Sequence, residues 1–334
     1  MPTPLSRRRF LVALGAVTAF FALRPLSSIA GLLDRLLGRA QAKPTPLITP
    51  NDEFYVTSYR SPPTIRVNDW SLSIKGLVKR PVALNYEQLL AEPTTSQIVT
   101  LECVGNTVAG EFIGTAEWQG PPLRFLLEKA GVPAEAFDVV FRAADGYSDS
   151  IPVERAMAGD VLIAYRMNGV PLPLGHGFPA RAIVPGHYGM KSVQWLTEIE
   201  LTAQDYRGYY AQKGWTEEAV VKTTSWIDLP VHGTTIQGTR HTIAGFAFAG
   251  TRGIELVEIS TDEGEHWAPT TLETPLSPSA WVPWRYDWTA MKPGRHTLLV
   301  RAIDGTGKMQ TDIEQGPAPD GASGLHEITV TVAA

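Results

Sequence analysis

Proline and glycine interrupt this chain throughout, with 26 Pro and 30 Gly spread over 334 residues. Proline fixes φ and removes a backbone donor, and glycine frees the chain for tight turns. Many short elements joined by turns are therefore favoured over long helices. Against that background stands a single cysteine, Cys103. One thiol cannot form an internal disulfide, so a disulfide-stapled framework is excluded. Two readings of Cys103 follow: a thiol packed as a small hydrophobe, or a thiolate acting as metal ligand or nucleophile.

The first residues read as an export signal. Ser6-Arg7-Arg8-Arg9-Phe10-Leu11 opens an uncharged stretch from Phe10 to Leu23, closed by Arg24. This is a basic region followed by an apolar one too short to span a bilayer comfortably. The pattern resembles a twin-arginine signal, and Ala40-Gln41-Ala42 offers small residues for cleavage after Ala42, so a periplasmic location is expected. Leu26, Ile29, Leu33, Leu36 and Leu37 recur at helical spacing, so an uncleaved form would lie along a membrane surface. Residues 1–42 hold six arginines and one acid; without them 23 basic residues face 33 acidic ones, a net charge of −10. So acidic a chain repels phosphate backbones, which argues against nucleic acid as a partner and favours a basic protein partner.

The 292 residues after Ala42 exceed one typical domain and predict two. Up to about residue 215 short strands mix with short helices. Leu123, Leu126, Leu127 and Ala130 form one helical face stopped by Gly131, and Leu196 to Leu201 reads as a strand. From residue 220 to 334 the pattern is almost wholly β. Apolar runs at Ile243–Phe246, Ile254–Ile259 and Leu298–Ile303, and the alternation of Ile328, Val330 and Val332, are separated by turn signals such as Asp262-Glu263-Gly264 and Asp304-Gly305. That spacing predicts an antiparallel, immunoglobulin-like sandwich.

Residues with chemistry concentrate in the first domain. Glu102-Cys103-Val104-Gly105-Asn106 follows a predicted strand over 97–101, which would present the thiol at a strand end. Gly175-His176-Gly177-Phe178-Pro179-Ala180-Arg181 and Pro185-Gly186-His187-Tyr188-Gly189-Met190-Lys191 place an imidazole, a guanidinium and a lysine among glycines. Such a set suits a phosphate-bearing anion.

The order and spacing of these segments carry a resemblance. Cys103 to Asn106, Ala116 to Gly120, Ser150 to Pro152, Leu162 to Gly169, His176 to Arg181, Gly189 to Leu196 and Asp205 to Gly208 resemble, in sequence, the molybdopterin domain of the sulfite oxidase family. Residues 220–334 resemble that family's dimerisation domain, with Ser260 to Trp267 as its hairpin. The resemblance implies an α+β molybdopterin-binding domain over 43–215, an immunoglobulin-like β-sandwich over 220–334, and a molybdenum–molybdopterin cofactor in its mononucleotide-free form. By position it implies Cys103 as the molybdenum ligand, a soft donor suited to that metal, and Tyr206 as the catalytic tyrosine. Ser58, Tyr59, Asn106, Asp145, His176, Arg181, Lys191, Ser192, Val193 and Gln194 fall at cofactor-contact positions, with His176 and Arg181 at the phosphate.

The chain departs from sulfite-oxidising members at substrate positions. Where those carry an Arg-Asn-His run this chain has Thr57-Ser58-Tyr59; a basic pair after Asn106 is Thr107-Val108; and a second-domain arginine falls nearest Ser279. Arg60, Arg207 and Arg285 are the cations left to rescue an anion site. No C-x-x-C-H haem site or cysteine set for an iron–sulfur cluster occurs, so electrons are expected to pass to an external carrier, a c-type cytochrome or a membrane haem subunit. The expected activity is oxygen-atom transfer on a small molecule, with a true sulfite dehydrogenase as the alternative. A homodimer through the C-terminal domain is the expected assembly. From other classes, two readings stay open: a cysteine hydrolase with His176 as base, and a non-catalytic two-domain binding protein.

Overall fold

Alternation sets the longest strands. At the end of the chain Ile328, Val330 and Val332 are buried while Thr329 and Thr331 between them are not, the signature of a strand with one face in a core. In the computed structural model residues 45–333 are described; the twin-arginine segment and the cleavage expected after Ala42 lie outside them. In chain order the first part carries β1 (Ser71–Gly76), β2 (Val82–Asn85), β3 (Thr95–Glu102), β4 (Ile113–Gly120), β5 (Asp138–Ala143), β6 (Ser148–Pro152), β7 (Leu162–Ala164), β8 (Arg166–Met167), β9 (Val170–Pro171), β10 (Arg181–Ile183) and β11 (Leu196–Thr202). The second carries β12 (Thr224–Leu229), β13 (Thr235–Ile236), β14 (Arg240–Phe248), β15 (Ile254–Ser260), β16 (Ala268–Pro269), β17 (Thr271–Leu272), β18 (Val282–Thr289), β19 (Gly294–Asp304) and β20 (His326–Val332).

The first part is α+β. A mixed sheet runs β2-β1-β11-β5-β6, with β1 and β11 parallel, beside a second sheet, β3-β4-β8-β9, and the pair β7-β10. The predicted helix spans Leu123–Ala130 and ends at Gly131, whose φ of 79° needs a residue without Cβ. Leu123, Leu126, Leu127 and Ala130 are fully buried in one core with Leu72, Ile74, Val139 and Phe141, and Phe125 is partly buried against it. The second part is an immunoglobulin-like sandwich of two sheets, β12-β14-β18-β17 and β13-β20-β19-β15-β16. Between them Ile243, Trp284 and Trp288 meet Val257, Val300 and Val330.

The two parts are joined by a mixed core. Val104, Ile113, Tyr188 and Met190 from the first pack with Ala219, Val221, Trp226, Phe246, Phe248 and Trp281. Hydrogen bonds tie the sandwich to β3: Thr100 N donates to Ser279 O (3.0 Å), Trp281 N to Thr100 Oγ1 (2.9 Å), and Ser277 Oγ to Ile98 O. The strand that leads into Cys103 is therefore held by β4 and by the sandwich. Among the described residues no helix is long and apolar enough to cross a membrane.

One buried histidine gives a pH prediction. Nδ1 of His326 accepts from Ile227 N (3.0 Å), and burial, helped by His232, lowers its pKa to about 4. The neutral ring is what the fold holds, while the unfolded chain takes up a proton below its ordinary value of about 6.5. Stability is therefore complete above that value and falls as pH drops toward 4. In His326→Gln an amide oxygen can accept without titrating, so the decline of the thermal midpoint between pH 7 and pH 4.5 should be shallower. An unchanged slope would assign the loss to other groups.

Candidate functional site

Cys103 follows β3 directly, and its loop is clamped. Cys103 N donates to Phe112 O (2.9 Å) and Asn106 N to Cys103 O (2.9 Å). The buried Asn106 side chain donates to Glu102 Oε1 (3.0 Å) and accepts from Phe112 N (3.0 Å). Asn106 thus holds both ends of the loop that presents the sulfur. Glu102 is buried, its other oxygen has no partner, and burial raises its pKa to about 7 against the Asn106 hydrogen bond.

The sulfur meets hydroxyls and rings rather than cations. Thr57 Oγ1 donates to Sγ at 3.8 Å. Burial pushes the thiol pKa up, only partly offset by the Gly105 N–H and Thr57, with Glu102 adding to the rise. A cysteine nucleophile at neutral pH needs the opposite shift and a base in reach. His176, the base of that reading, has Nε2 on Asn51 O (2.8 Å) and packs edge-on against Phe54, and burial lowers its pKa. The geometry disfavours the hydrolase.

Three tyrosines are electrostatically coupled to Cys103: Tyr55, Tyr147 and Tyr210, each with a pKa raised mainly by burial. Tyr147 and Tyr210 belong to a packed ring cluster with Tyr59 and Tyr209, centroids 4.4 to 6.4 Å apart. Asp145 is buried beside them and accepts from Tyr147 N at 3.0 Å. Ser58 lies exposed between Thr57 and Tyr59, its hydroxyl on Arg60 O (2.7 Å).

Behind this cluster lies a cationic floor. Arg181 is buried, with Nη1 on His176 O (3.0 Å) and Nη2 on Ser192 O (2.9 Å), its guanidinium over the Trp118 ring. Its Nε and His176 Nδ1 are buried without a partner. Among the described residues no carboxylate pairs with Arg181, and burial lowers its pKa to about 10. Ser192 Oγ accepts from Val184 N (3.0 Å), Val193 O from Ala182 N (2.9 Å), and Gln194 Nε2 donates to Gly175 O (3.1 Å). Tyr55 links floor and thiol, since both Arg181 and Cys103 act on its hydroxyl.

Two predicted site residues have partners of their own. The Tyr206 hydroxyl is paired with Ser148 Oγ (2.8 Å) and accepts from Arg142 Nη1 (3.3 Å), where the chain after β11 runs beside β6. Lys191 is no free cation either, since its ammonium donates to Asp149 Oδ1 (2.8 Å) and Ser150 O (2.9 Å). Sequence reasoning missed Tyr55, Tyr147, Tyr210 and Asp149. The doublet Tyr209-Tyr210 after the Tyr206 motif, and Tyr147 two residues past Asp145, were the available signals.

A pterin bearing a phosphate fits what is present. A buried guanidinium with no counter-ion and an orphaned Nε–H calls for an anion, while His176, whose Nε2–H donates to Asn51 O, presents Nδ1 as an acceptor. Gly177, at φ +108°, has no room for a side chain, since a Cβ would lie 3.2 Å from Gln194 Cα. Val56 (52% exposed) and Leu174 (49%) leave apolar surface that a flat ring system would cover. A soft thiolate completes the donor set for molybdenum.

The comparisons with known proteins agree. Residues 59–210 match the family described as oxidoreductase molybdopterin binding domain, and residues 216–315 the Mo-co oxidoreductase dimerisation domain. The chain is 30% identical to a nitrate reductase [NADH] of Solanum lycopersicum over 78% of its own length and 36% of that protein's. It is 31% identical to nitrate reductase [NADH] 2 of Nicotiana tabacum, over 74% and 33%. The chain thus spans about a third of the curated relatives it matches. In fold it resembles the sulfane dehydrogenase SoxCD from Paracoccus pantotrophus, with a TM-score of 0.74 and 24% identity over 84% of this chain and 80% of that one. The chain belongs to the sulfite oxidase family of molybdopterin-dependent oxidoreductases.

Proposed function

We propose that this protein is an exported molybdenum-cofactor enzyme that transfers an oxygen atom to or from a small uncharged molecule and exchanges electrons with an external haem protein. The observation that carries the cofactor is the buried Arg181 guanidinium, which has an orphaned Nε–H and no carboxylate to neutralise it. His176, Arg181 and the backbone and side chains of Ser192, Val193 and Gln194 would hold the mononucleotide-free pterin and its phosphate. Cys103 would ligate the metal. When bound, the group supplies two-electron oxygen-atom chemistry. Asn106 keeps the sulfur in place, Thr57 donates to it, and the rings of Tyr147 and Tyr210 limit water near it. Tyr210, a neutral phenol, is suited to donate a hydrogen bond to a substrate oxygen.

The substrate reading rests on where the remaining cations go. Arg60 lies on the Tyr59 ring and donates to its hydroxyl (3.1 Å), and Arg207 pairs with Glu217 (3.3 Å) and Ala211 O. Arg285 is in β18, opposite Ala244 and Thr271. Arg60 and Arg207 have partners of their own and Arg285 lies exposed in the sandwich, so an oxyanion would lose its water without converging charges. A neutral S-oxide or N-oxide needs only a hydrogen-bond donor. The acidic chain favours a basic c-type cytochrome or a membrane haem subunit, and the C-terminal sandwich a homodimer.

The test of the cofactor is its content. Protein purified from the periplasm should carry close to one molybdenum and one nucleotide-free pterin per chain, and full activity without molybdenum would end this reading. Because a cofactor is loaded before export, Arg7→Lys with Arg8→Lys should leave loaded protein in the cytoplasm. Unchanged export in cells lacking the twin-arginine translocase would mark an ordinary signal.

A further inference from the structure

A buried ion pair lies beside the site. Asp149, fully buried, and Lys191, 4% exposed, come from β6 and from the turn Gly189–Lys191. Asp149 Oδ1 accepts from Lys191 Nζ (2.8 Å) and Ser150 N (2.8 Å), and Lys191 Nζ also donates to Ser150 O (2.9 Å). Tyr147 shares its hydroxyl proton between Asp149 Oδ2 (3.0 Å) and Met190 O (3.0 Å). The pair thus holds two things at once: the phenol that faces Cys103, and the segment that leads into Ser192, Val193 and Gln194. Gly208 closes the network from the other side, since a Cβ there would lie 2.4 Å from Asp149 Oδ1.

Burying two charges is expensive, and an apolar pair of the same size would often serve stability better. Its geometry accounts for its presence: every oxygen of Asp149 is spent on an element that lines the site. Lys191 and Arg181 differ in the same respect. The lysine is neutralised by its carboxylate and has no net charge to offer an anion, whereas the arginine has no such partner. We infer that Asp149 and Lys191 form a strut that fixes Tyr147 and the Gly189–Gln194 segment against Cys103, so that Lys191 is a positioning residue and not a ligand of the cofactor's anionic group. The assignment rests on the proposed pterin only where it denies Lys191 that role.

The two roles separate in a double-substitution cycle on the full-length protein as purified, read by thermal midpoint and by pterin per chain, measured as released fluorescent pterin. Lys191→Gln leaves a carboxylate buried alone and should lower the midpoint by roughly 10 °C and pterin content several-fold. Asp149→Asn should do the same. If Lys191 served the anion, removing the acid would leave pterin content unchanged or raise it, and that outcome overturns the strut. The double variant Asp149→Asn/Lys191→Gln, a neutral hydrogen-bonding pair, should restore pterin content to within about twofold of wild type, an expected coupling between contacting residues. A double variant as depleted as Lys191→Gln alone would also overturn it. If either single variant fails to fold, the double variant and Lys191→Arg still decide, because rescue requires only that the pair be complete. Wild-type protein without pterin would refute the proposed function instead, while the thermal cycle would still test the strut.

Discussion

Cys103→Ser should lower turnover by roughly 10³-fold or more, a loss of about 4 kcal/mol in transition-state stabilisation, while the protein keeps most of its pterin. Serine has nearly the same shape, and the clamp on the loop is made by backbone atoms of residue 103 and by Asn106, so the fold should persist. What changes is the donor. A hydroxyl is far less acidic than a thiol and is a hard ligand, so it cannot replace a thiolate on a soft metal site. Pterin retention follows from the separation of the anion floor from the sulfur: His176, Arg181 and Ser192 form their contacts with one another. Arg181→Leu should show the opposite pattern, with pterin content falling and the Cys103 loop intact. A Cys103→Ser protein that turns over at the wild-type rate would remove the metal-ligand role from this residue, whatever else it binds.

How far the site was legible in the sequence depended on how local each signal was. The helix 123–130 and the strand ending in Val332 were readable because burial of one face repeats at a fixed period. Cys103 and Asn106 were readable for a related reason, since the loop closes on itself within a few residues. The surroundings of Tyr206 were not legible because residues 203–210 follow no period: after β11 the chain runs beside β6, Asp138 and Ser150 hold the backbone of Tyr206, and its ring falls on Arg142. The partner of Lys191 was not legible because Asp149 lies 42 residues earlier, and no local pattern announces a buried pair formed across two segments. The clamp of Ser277, Ser279 and Trp281 on β3 spans about 180 residues and left no local trace in the sequence.

The same distances decide the substrate, where the expected effect is largest. Sulfite and nitrate enter as anions, and three converging cations lost from such a site forfeit about 1.5 to 3 kcal/mol each, roughly tenfold or more in rate per contact. Thr57 lies 3.8 Å from the Cys103 sulfur, Arg60 and Arg207 are held by Tyr59 and Glu217, and Arg285 is an exposed residue of β18. Burial, with smaller contributions from Cys103, Tyr209, Asp145 and Tyr59, raises the Tyr210 pKa, so the phenol keeps its proton. A neutral S–O or N–O group needs no counter-charge, and its oxygen can accept from that phenol. Steady-state kinetics with ferricyanide or a c-type cytochrome should therefore give a kcat/KM for sulfite several decades below about 10⁶ M⁻¹s⁻¹, the range of efficient enzymes. With a reduced dye as donor, a small sulfoxide or N-oxide should be turned over measurably, and Tyr210→Phe should slow that reaction by about one to two decades, the loss of one hydrogen bond made in the transition state. Sulfite oxidation at or above 10⁶ M⁻¹s⁻¹ would mean that one of the three arginines moves to bind the anion, and would make this chain a sulfite dehydrogenase.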